Sequence, residues 1–360
     1  MKLITLFSLL LASVIAAPAA EPESDVQLEK RATFATFAGT NAYWLPFLNS
    51  DADIDKTFAA IKAANLKVVR TWAFNDARDS CNGIYFQCWS SGNPVINTGS
   101  TGLGRLDAVV KAAEKYGIKL VLPMVNNWGD YGGMDVYVSK LGGNGHTSFY
   151  TNAKITAAYK NYVSVIVNRY KGSSAIFSWQ LANEPRCQGC ATSVITNWAS
   201  TMSAYIKSLD STHYVSLGDE GFFARGSSQT YPYGGSEGVD FEANLKIPTL
   251  DYGTLHMYTK SWGMTYDWGN QWINDHAAAC KAAGKSCVLE EYGVPEDGNA
   301  RTTNMNTWHN SIKSSGLTAD MFWQFGLTLS GGKTSDDTYT IYTDESNYGQ
   351  LVRDWAATRV

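Results

Sequence analysis

The chain has 360 residues, 44% of them hydrophobic, with 29 basic and 33 acidic side chains that leave a formal charge of −4. The length is ample for one large core and within the range of a single α/β barrel. The mildly acidic balance, with no basic cluster, argues against nucleic acid or an anionic membrane as partner.

From the start, Met1 to Ala17 shows Lys2, an apolar run from Leu3 and small residues ending at Ala16-Ala17. This reads as a secretory signal, too short for a membrane span, and the protein is expected to be secreted. Residues 18–31 are acidic, lack aromatics and end in Lys30-Arg31, the pattern of a propeptide closed by a dibasic cleavage site. Residues 32–360 would remain, with a formal charge of −3, because residues 1–31 hold three basic and four acidic side chains. No Asn-x-Ser/Thr acceptor occurs, so N-glycosylation is not expected.

From Thr36 onward, short apolar runs alternate with longer amphipathic ones. The strands are expected at 37–41, 67–72, 119–125, 176–181, 214–217, 253–257, 286–290 and 319–324. Helical spacing is clearest over 53–65 and 104–116, with further helices expected at 148–170, 191–209, 268–283, 299–315 and 347–357. Gly117 and Gly284 stand where a left-handed residue would end a helix before the next strand. The Gly-, Ser- and Tyr-rich stretch 218–251 offers at best a short helix near 240–245. Eight strand–helix units predict a closed (β/α)8 barrel. A doubly wound open sheet is the alternative, weakened because no Gly-x-Gly-x-x-Gly follows the first strand. No Pro- or Ser-rich linker interrupts 32–360, so one domain is expected there.

The six cysteines fall into three couples close in sequence: Cys81 with Cys88, Cys187 with Cys190, and Cys280 with Cys287. In a secreted chain such couples are expected to be disulfides, although six cysteines allow 15 pairings. Cys187 and Cys190 make a poor half of a zinc site, since no second Cys-x-x-Cys or nearby His pair completes four ligands.

In such a barrel, polar residues at the C-terminal ends of the strands face the site. Those ends supply Arg70, Asn126-Asn127-Trp128, Asn183-Glu184, His256 with Tyr258, Glu291 and Trp323. Two glutamates delivered from the fourth and seventh strands suit a paired-carboxylate glycosidase, retaining if the carboxyls lie about 5–5.5 Å apart. Glu290 and Glu291 compete for the second role. Adjacent strand residues point to opposite sides, so if Glu291 faces the mouth, Glu290 is expected to turn toward the helices. Asn183 suits a sugar 2-hydroxyl, Arg70 suits a carboxylate that must stay ionised, and Tyr258 suits a donor to the nucleophile, with His256 supporting the acid. Trp128, Trp262 and Trp323 offer flat platforms for sugar faces, core packing being the default for any one tryptophan.

The motifs Arg70-Thr71-Trp72-Ala73-Phe74-Asn75-Asp76, Asn126-Asn127-Trp128, Ala182-Asn183-Glu184-Pro185-Arg186-Cys187, His256-Met257-Tyr258, Glu290-Glu291-Tyr292-Gly293 and Phe322-Trp323-Gln324-Phe325-Gly326 span most of residues 32–360. Together they resemble the retaining glycoside hydrolases of family 5, and within it the secreted fungal endo-β-1,4-mannanases. The resemblance implies Glu184 as acid/base and Glu291, directly before Tyr-Gly, as nucleophile. It implies Arg70, Asn183, His256, Tyr258 and Trp323 lining the cleavage subsite, with Arg186 on the leaving-group side and Trp128 on the other. The expected substrate is β-mannan, cut by a monomer that uses no metal or organic cofactor. An endo-β-1,4-glucanase on the same scaffold, or a carbohydrate-binding barrel without turnover, are the alternatives.

Overall fold

A computed structural model describes residues 34–295 and 298–359. The expected signal and propeptide, residues 1–31, lie outside the described residues. Eight parallel strands form the barrel: β1 Phe37–Asn41, β2 Val68–Arg70, β3 Lys119–Pro123, β4 Ile176–Gln180, β5 Tyr214–Ser216, β6 Tyr252–Met257, β7 Ser286–Tyr292 and β8 Ala319–Phe322. Their hydrogen-bonded order is β5-β4-β3-β2-β1-β8-β7-β6, with β1 between β2 and β8, which removes the doubly wound alternative. The last seam, β5 to β6, is bridged by Asp251 N–H donating to the Val215 carbonyl at 2.8 Å and His256 N–H to the Glu220 carbonyl at 3.1 Å.

The helices packed outside are α1 Asp51–Ala63, α2 Leu103–Tyr116, α3 Ala153–Tyr170, α4 Ser193–Leu209, the single turn α5 Phe241–Asn244, α6 Trp268–Ala283 and α7 Asn299–Ser315. A wide turn over Gly349–Asp354 runs into Trp355–Ala357 in place of the regular last helix expected. Ser50 caps α1 by accepting from Asp53 N–H, and Gly117 and Gly284 end α2 and α6 with φ of 66° and 67°. The helix expected over 148–170 is broken in two at Asn152. Its backbone is extended, and its side chain accepts from Lys154 and Ile155 N–H, so the amide stops one turn and starts α3. All three sequence-local cysteine couples are joined as disulfides.

The barrel interior is layered. Phe37, Val68, Val121, Tyr252, Val288, Ala319 and Met321 pack the lower end with Phe34, Phe177 and Tyr214 against them. Above them Asn41, Arg70, Gln180, Ser216 and Glu290, all fully buried, bond to one another, so the polar layer satisfies itself before the mouth is reached.

One buried acid makes folding sensitive to pH. Asp76 supports the rim loop, donating its N–H to the Tyr131 carbonyl at 2.7 Å. Burial raises its carboxyl from 3.8 to about 7, only partly offset by donors from Trp89 and Gln87. A folded-state value above the unfolded one means that its stabilising contribution is complete below about pH 4 and fades as pH rises through 7. Asp76→Asn keeps the neutral shape, so it should raise Tm by roughly 2–4 °C at pH 8 and leave it nearly unchanged at pH 4. Thermal melts of both proteins at the two pH values check this; equal shifts at both would locate the pH sensitivity elsewhere.

Candidate active site

The chain beyond β4 is held between its neighbours. Asn183 N–H donates to the Val125 carbonyl at 2.7 Å and Glu184 N–H to the Gly218 carbonyl at 2.8 Å. Gly218 has φ 83°, and a Cβ there would sit 2.0 Å from the Ala182 carbonyl oxygen, so only glycine allows this approach. Glu184 itself has φ 52°, a left-handed conformation costing on the order of 1–3 kcal/mol in a non-glycine residue. The strain is spent on aiming its carboxylate into the mouth.

There Glu184 Oε1 meets His256 Nδ1 at 2.8 Å, and Oε2 accepts from the Trp128 indole at 2.6 Å. Glu291, from the end of β7, accepts from Arg70 on Oε1 and from the Tyr258 hydroxyl on Oε2 at 2.6 Å. Oxygens of the two carboxylates come within 4.8 Å of each other, with a ring nitrogen of His256 in the same cluster. Arg70 also donates to Asn183 Oδ1 at 2.6 Å and Gln180 Oε1 at 2.8 Å, so one guanidinium aligns the second glutamate with the amide beside the first.

Burial alone would lower His256, but the charge of Glu291 and the contact with Glu184 push it up to about 10. Burial opposes ionisation of Glu184 too, yet the His256 hydrogen bond and charge, with the Trp128 donor, bring it below its usual range. Glu291 is raised, chiefly by burial, against the pull of His256 and Arg70. The three side chains could surround a cation by spacing alone, but a protonated imidazole offers no lone pair to a metal.

Glu290 departs from the alternation expected of a strand. The β6–β7 register slips between Leu289 and Glu291, and this bulge turns both glutamates inward. Glu290, fully buried, accepts from Gln180 Nε2 at 2.6 Å and lies 3.7 Å from Arg70 Nε, deep in the barrel and not toward the helices. Glu291 alone of the pair lines the cleft.

That cleft measures about 650 Å³, within the usual span of ligand sites. Trp128, Asn183, Glu184, Arg186, Tyr258, Glu291 and Trp323 line it, as does Trp262. Arg70 and His256 do not; both are 0% exposed and lie beneath the carboxylates. The Arg186 guanidinium sits 5.0 Å over the Trp128 indole, so the two side chains form one wall of the cleft. Glu220 and Glu237 hold that guanidinium from behind. Trp323 stacks on Tyr43 at 5.5 Å, and its indole donates to Asp337 Oδ2 at 2.5 Å, fixing the ring.

Residues 25–327 match the model of the cellulase family, glycosyl hydrolase family 5. The chain belongs to glycoside hydrolase family 5. Mannan endo-1,4-beta-mannosidase A of Aspergillus aculeatus is 50% identical to this family 5 chain over 325 residues, 89% of this chain and 85% of that one. Probable mannan endo-1,4-beta-mannosidase F of Aspergillus oryzae is 53% identical over 317 residues, covering 86% and 68%. The endo-1,4-beta-mannanase structure from Rhizomucor miehei overlays with a TM-score of 0.85 at 39% identity, covering 90% of this chain and 95% of that one.

Some residues lining the family 5 cleft went unseen in the sequence. Tyr43 lies two residues beyond the strand end at Asn41, so reading slightly past that end would have found it, whereas Trp72 closes the strand expected over 67–72 and stands in a matched motif without a role of its own. Tyr131, Glu220, Tyr231, Asp337 and Tyr339 come from long connections, where strand-end spacing carries no signal.

Proposed function

We propose that this protein is a secreted, monomeric endo-β-1,4-mannanase, cutting mannan, galactomannan and glucomannan with retention of configuration. The observation that carries this reading is the Glu184–Glu291 pair, within 4.8 Å and each with its own donors. That spacing matches the roughly 5–5.5 Å of retaining glycosidases, leaving no room for the water an inverting enzyme places between its acids. The mannan substrate is supported by the relatives named as mannan endo-1,4-beta-mannosidases at 50% and 53% identity. Secretion is supported by the leader-like residues 1–31, and residues 32–360 would form the catalytic domain. Among the described residues no helix is long and apolar enough to cross a membrane.

In this reading Glu291 attacks the anomeric carbon while Glu184 gives a proton to the departing glycosidic oxygen. Glu184 then takes a proton from water, which attacks the same carbon and frees Glu291. In the unliganded site burial raises Glu291 and the His256 cation lowers Glu184, the reverse of the order in which the reaction uses them. Both acids share His256, so protonation belongs to the trio. A sugar seated in the cleft strips water from Glu184 while Arg70 and Tyr258 stay on Glu291, and this favours the proton on Glu184. Asn183, its Oδ1 already committed to Arg70, keeps amide hydrogen for the sugar 2-hydroxyl.

Reducing-sugar assays on galactomannan and carboxymethylcellulose test the substrate. Galactomannan should be cleaved with kcat/KM at least about 100-fold higher, the scale of one to two well-placed polar contacts. A preference for carboxymethylcellulose would favour the glucanase alternative, and binding without turnover of either would favour a carbohydrate-binding barrel.

A further inference from the structure

Glu290 lies below the cleft, fully buried, and takes no part in the reaction above. Asn41 Nδ2 fixes its backbone by donating to its carbonyl at 2.7 Å. Its carboxylate faces two neutral donors and two cations. Gln180 Nε2 donates to Oε2 at 2.6 Å and the Tyr252 hydroxyl to Oε1 at 3.4 Å, while Arg70 Nε stands 3.7 Å and His256 Nε2 3.9 Å from Oε2. His256 Nδ1 is taken by Glu184, and its Nε2 has no hydrogen-bond partner among the described residues. A bare lone pair on Nε2 would face a buried carboxylate and be repelled, whereas a proton there is attracted, the more so where water is excluded. Burial alone would lower His256; the charge of Glu291 and the contacts with Glu184 and Glu290 push it up to about 10. The other acids nearby are committed elsewhere, Glu220 to Arg186 and Asp219 to Thr254 and Asn244, and burial keeps the phenols of Tyr252 and Tyr258 neutral.

The charges can be followed through the cycle. Before reaction the proton on Glu184 leaves Glu291 as the charged acid of the cleft. As Glu291 bonds to the anomeric carbon, the glycosidic oxygen departs with that proton; Glu184 is then the charged acid and Glu291 a neutral ester. At either stage one cleft carboxylate stands against two buried cations, Arg70 and His256. We propose that Glu290 is the fixed counter-charge of the site, a positioning residue that balances Arg70 and His256 from below while the second negative charge passes between Glu291 and Glu184. The inference rests on the retaining mechanism above and deepens it. Glu290 touches no substrate. It acts through His256, which bonds to Glu184, and through Arg70, which bonds to Glu291. Its depth suits a charge that has to stay constant, because Gln180, Arg70 and His256 lie between it and the mouth.

Two variants separate charge from shape. Glu290→Gln keeps the shape without the charge, and Glu290→Asp keeps the charge on a shorter arm. The chain has five histidines, so ¹⁵N-histidine labelling resolves His256, assigned by its missing signal in His256→Gln. In Glu290→Gln it should lose its Nε2 proton about 1–3 pH units lower than in the parent, the effect of one opposite charge at this range, and in Glu290→Asp within about half a unit of the parent. On mannan, kcat of Glu290→Gln should fall about 10- to 100-fold, tenfold for each pKa unit of lost charge interaction, with the mannohexaose Kd within roughly threefold of the parent. The same loss is expected with 2,4-dinitrophenyl β-mannobioside, because positive charge grows on the sugar ring whichever group departs, and Glu290→Asp should recover part of it. The titration needs no substrate, so it judges Glu290 even if the parent fails to cleave galactomannan and the mannanase reading falls. Should Glu290→Gln not fold, Glu290→Asp decides, and a His256 there that loses its proton more than about one unit below the parent overturns the proposal. In a folded Glu290→Gln, a His256 that titrates as in the parent, or a kcat within about twofold of the parent, overturns it as well.

Discussion

Glu291→Ala should lower kcat on mannan by about 10⁴-fold or more while leaving the Kd for mannohexaose within roughly fivefold of the parent, since removing a nucleophile costs catalysis of that order. No other carboxylate can take over. Glu184 is occupied by His256 and Trp128, and Glu290, though inward, lies below the mouth against Gln180 and Arg70. Arg70 loses its charged partner at the mouth in this variant, so Glu291→Gln is the companion that keeps the shape. Azide with an activated aryl β-mannobioside identifies the role: entering the space left by the side chain, it attacks the face from which Glu291 attacks and yields the α-mannosyl azide. A β-azide, or substantial residual mannan hydrolysis in both variants, would remove Glu291 from the nucleophile's role.

The barrel was legible because its signals are local. A run such as Lys119–Val125 and an amphipathic stretch such as 104–116 each reveal their type within one element, and eight alternations leave few topologies. The two acids were legible for the same reason, standing where apolar strands end. The parity of Glu290 and Glu291 was not, because the bulge that turns both inward is made by pairing with β6, a contact between segments more than thirty residues apart in sequence. Strand-end reading also placed Arg70 and His256 at the right level of the barrel without showing that other side chains cover them. The Arg186–Trp128 wall needed the tertiary structure altogether: Glu220 and Glu237, from the β5–β6 connection, and Tyr150, from the β3–β4 connection, hold Arg186. Asn152 is a smaller case, where a cap inside a helical pattern was overridden by the apolar spacing around it.

For Glu184→Ala the loss should depend on the leaving group. On mannan, kcat/KM should fall about 10²- to 10⁴-fold, the usual contribution of a general acid–base. A 2,4-dinitrophenyl β-mannobioside needs no proton to depart, so its glycosylation step should stay within roughly tenfold of the parent, and the intermediate on Glu291 should accumulate as a burst because no base activates water. Azide should then accelerate turnover and give the β-mannosyl azide, since it enters where Glu184 stood, opposite the face bonded to Glu291. The pH profile gives an independent readout. Burial favours the protonated acid, but the His256 contact and charge, with the Trp128 donor, bring Glu184 below its usual range, so in the parent kcat/KM on mannan should be highest at acidic pH and fall as Glu184 loses its proton. That basic limb should vanish in Glu184→Ala with the activated substrate, where no proton is required from this side chain. Survival of the limb would mean that another group, with His256 the nearest, supplies the proton; a variant equally slow on both substrates would show Glu184 to be holding the site's shape and not moving its proton.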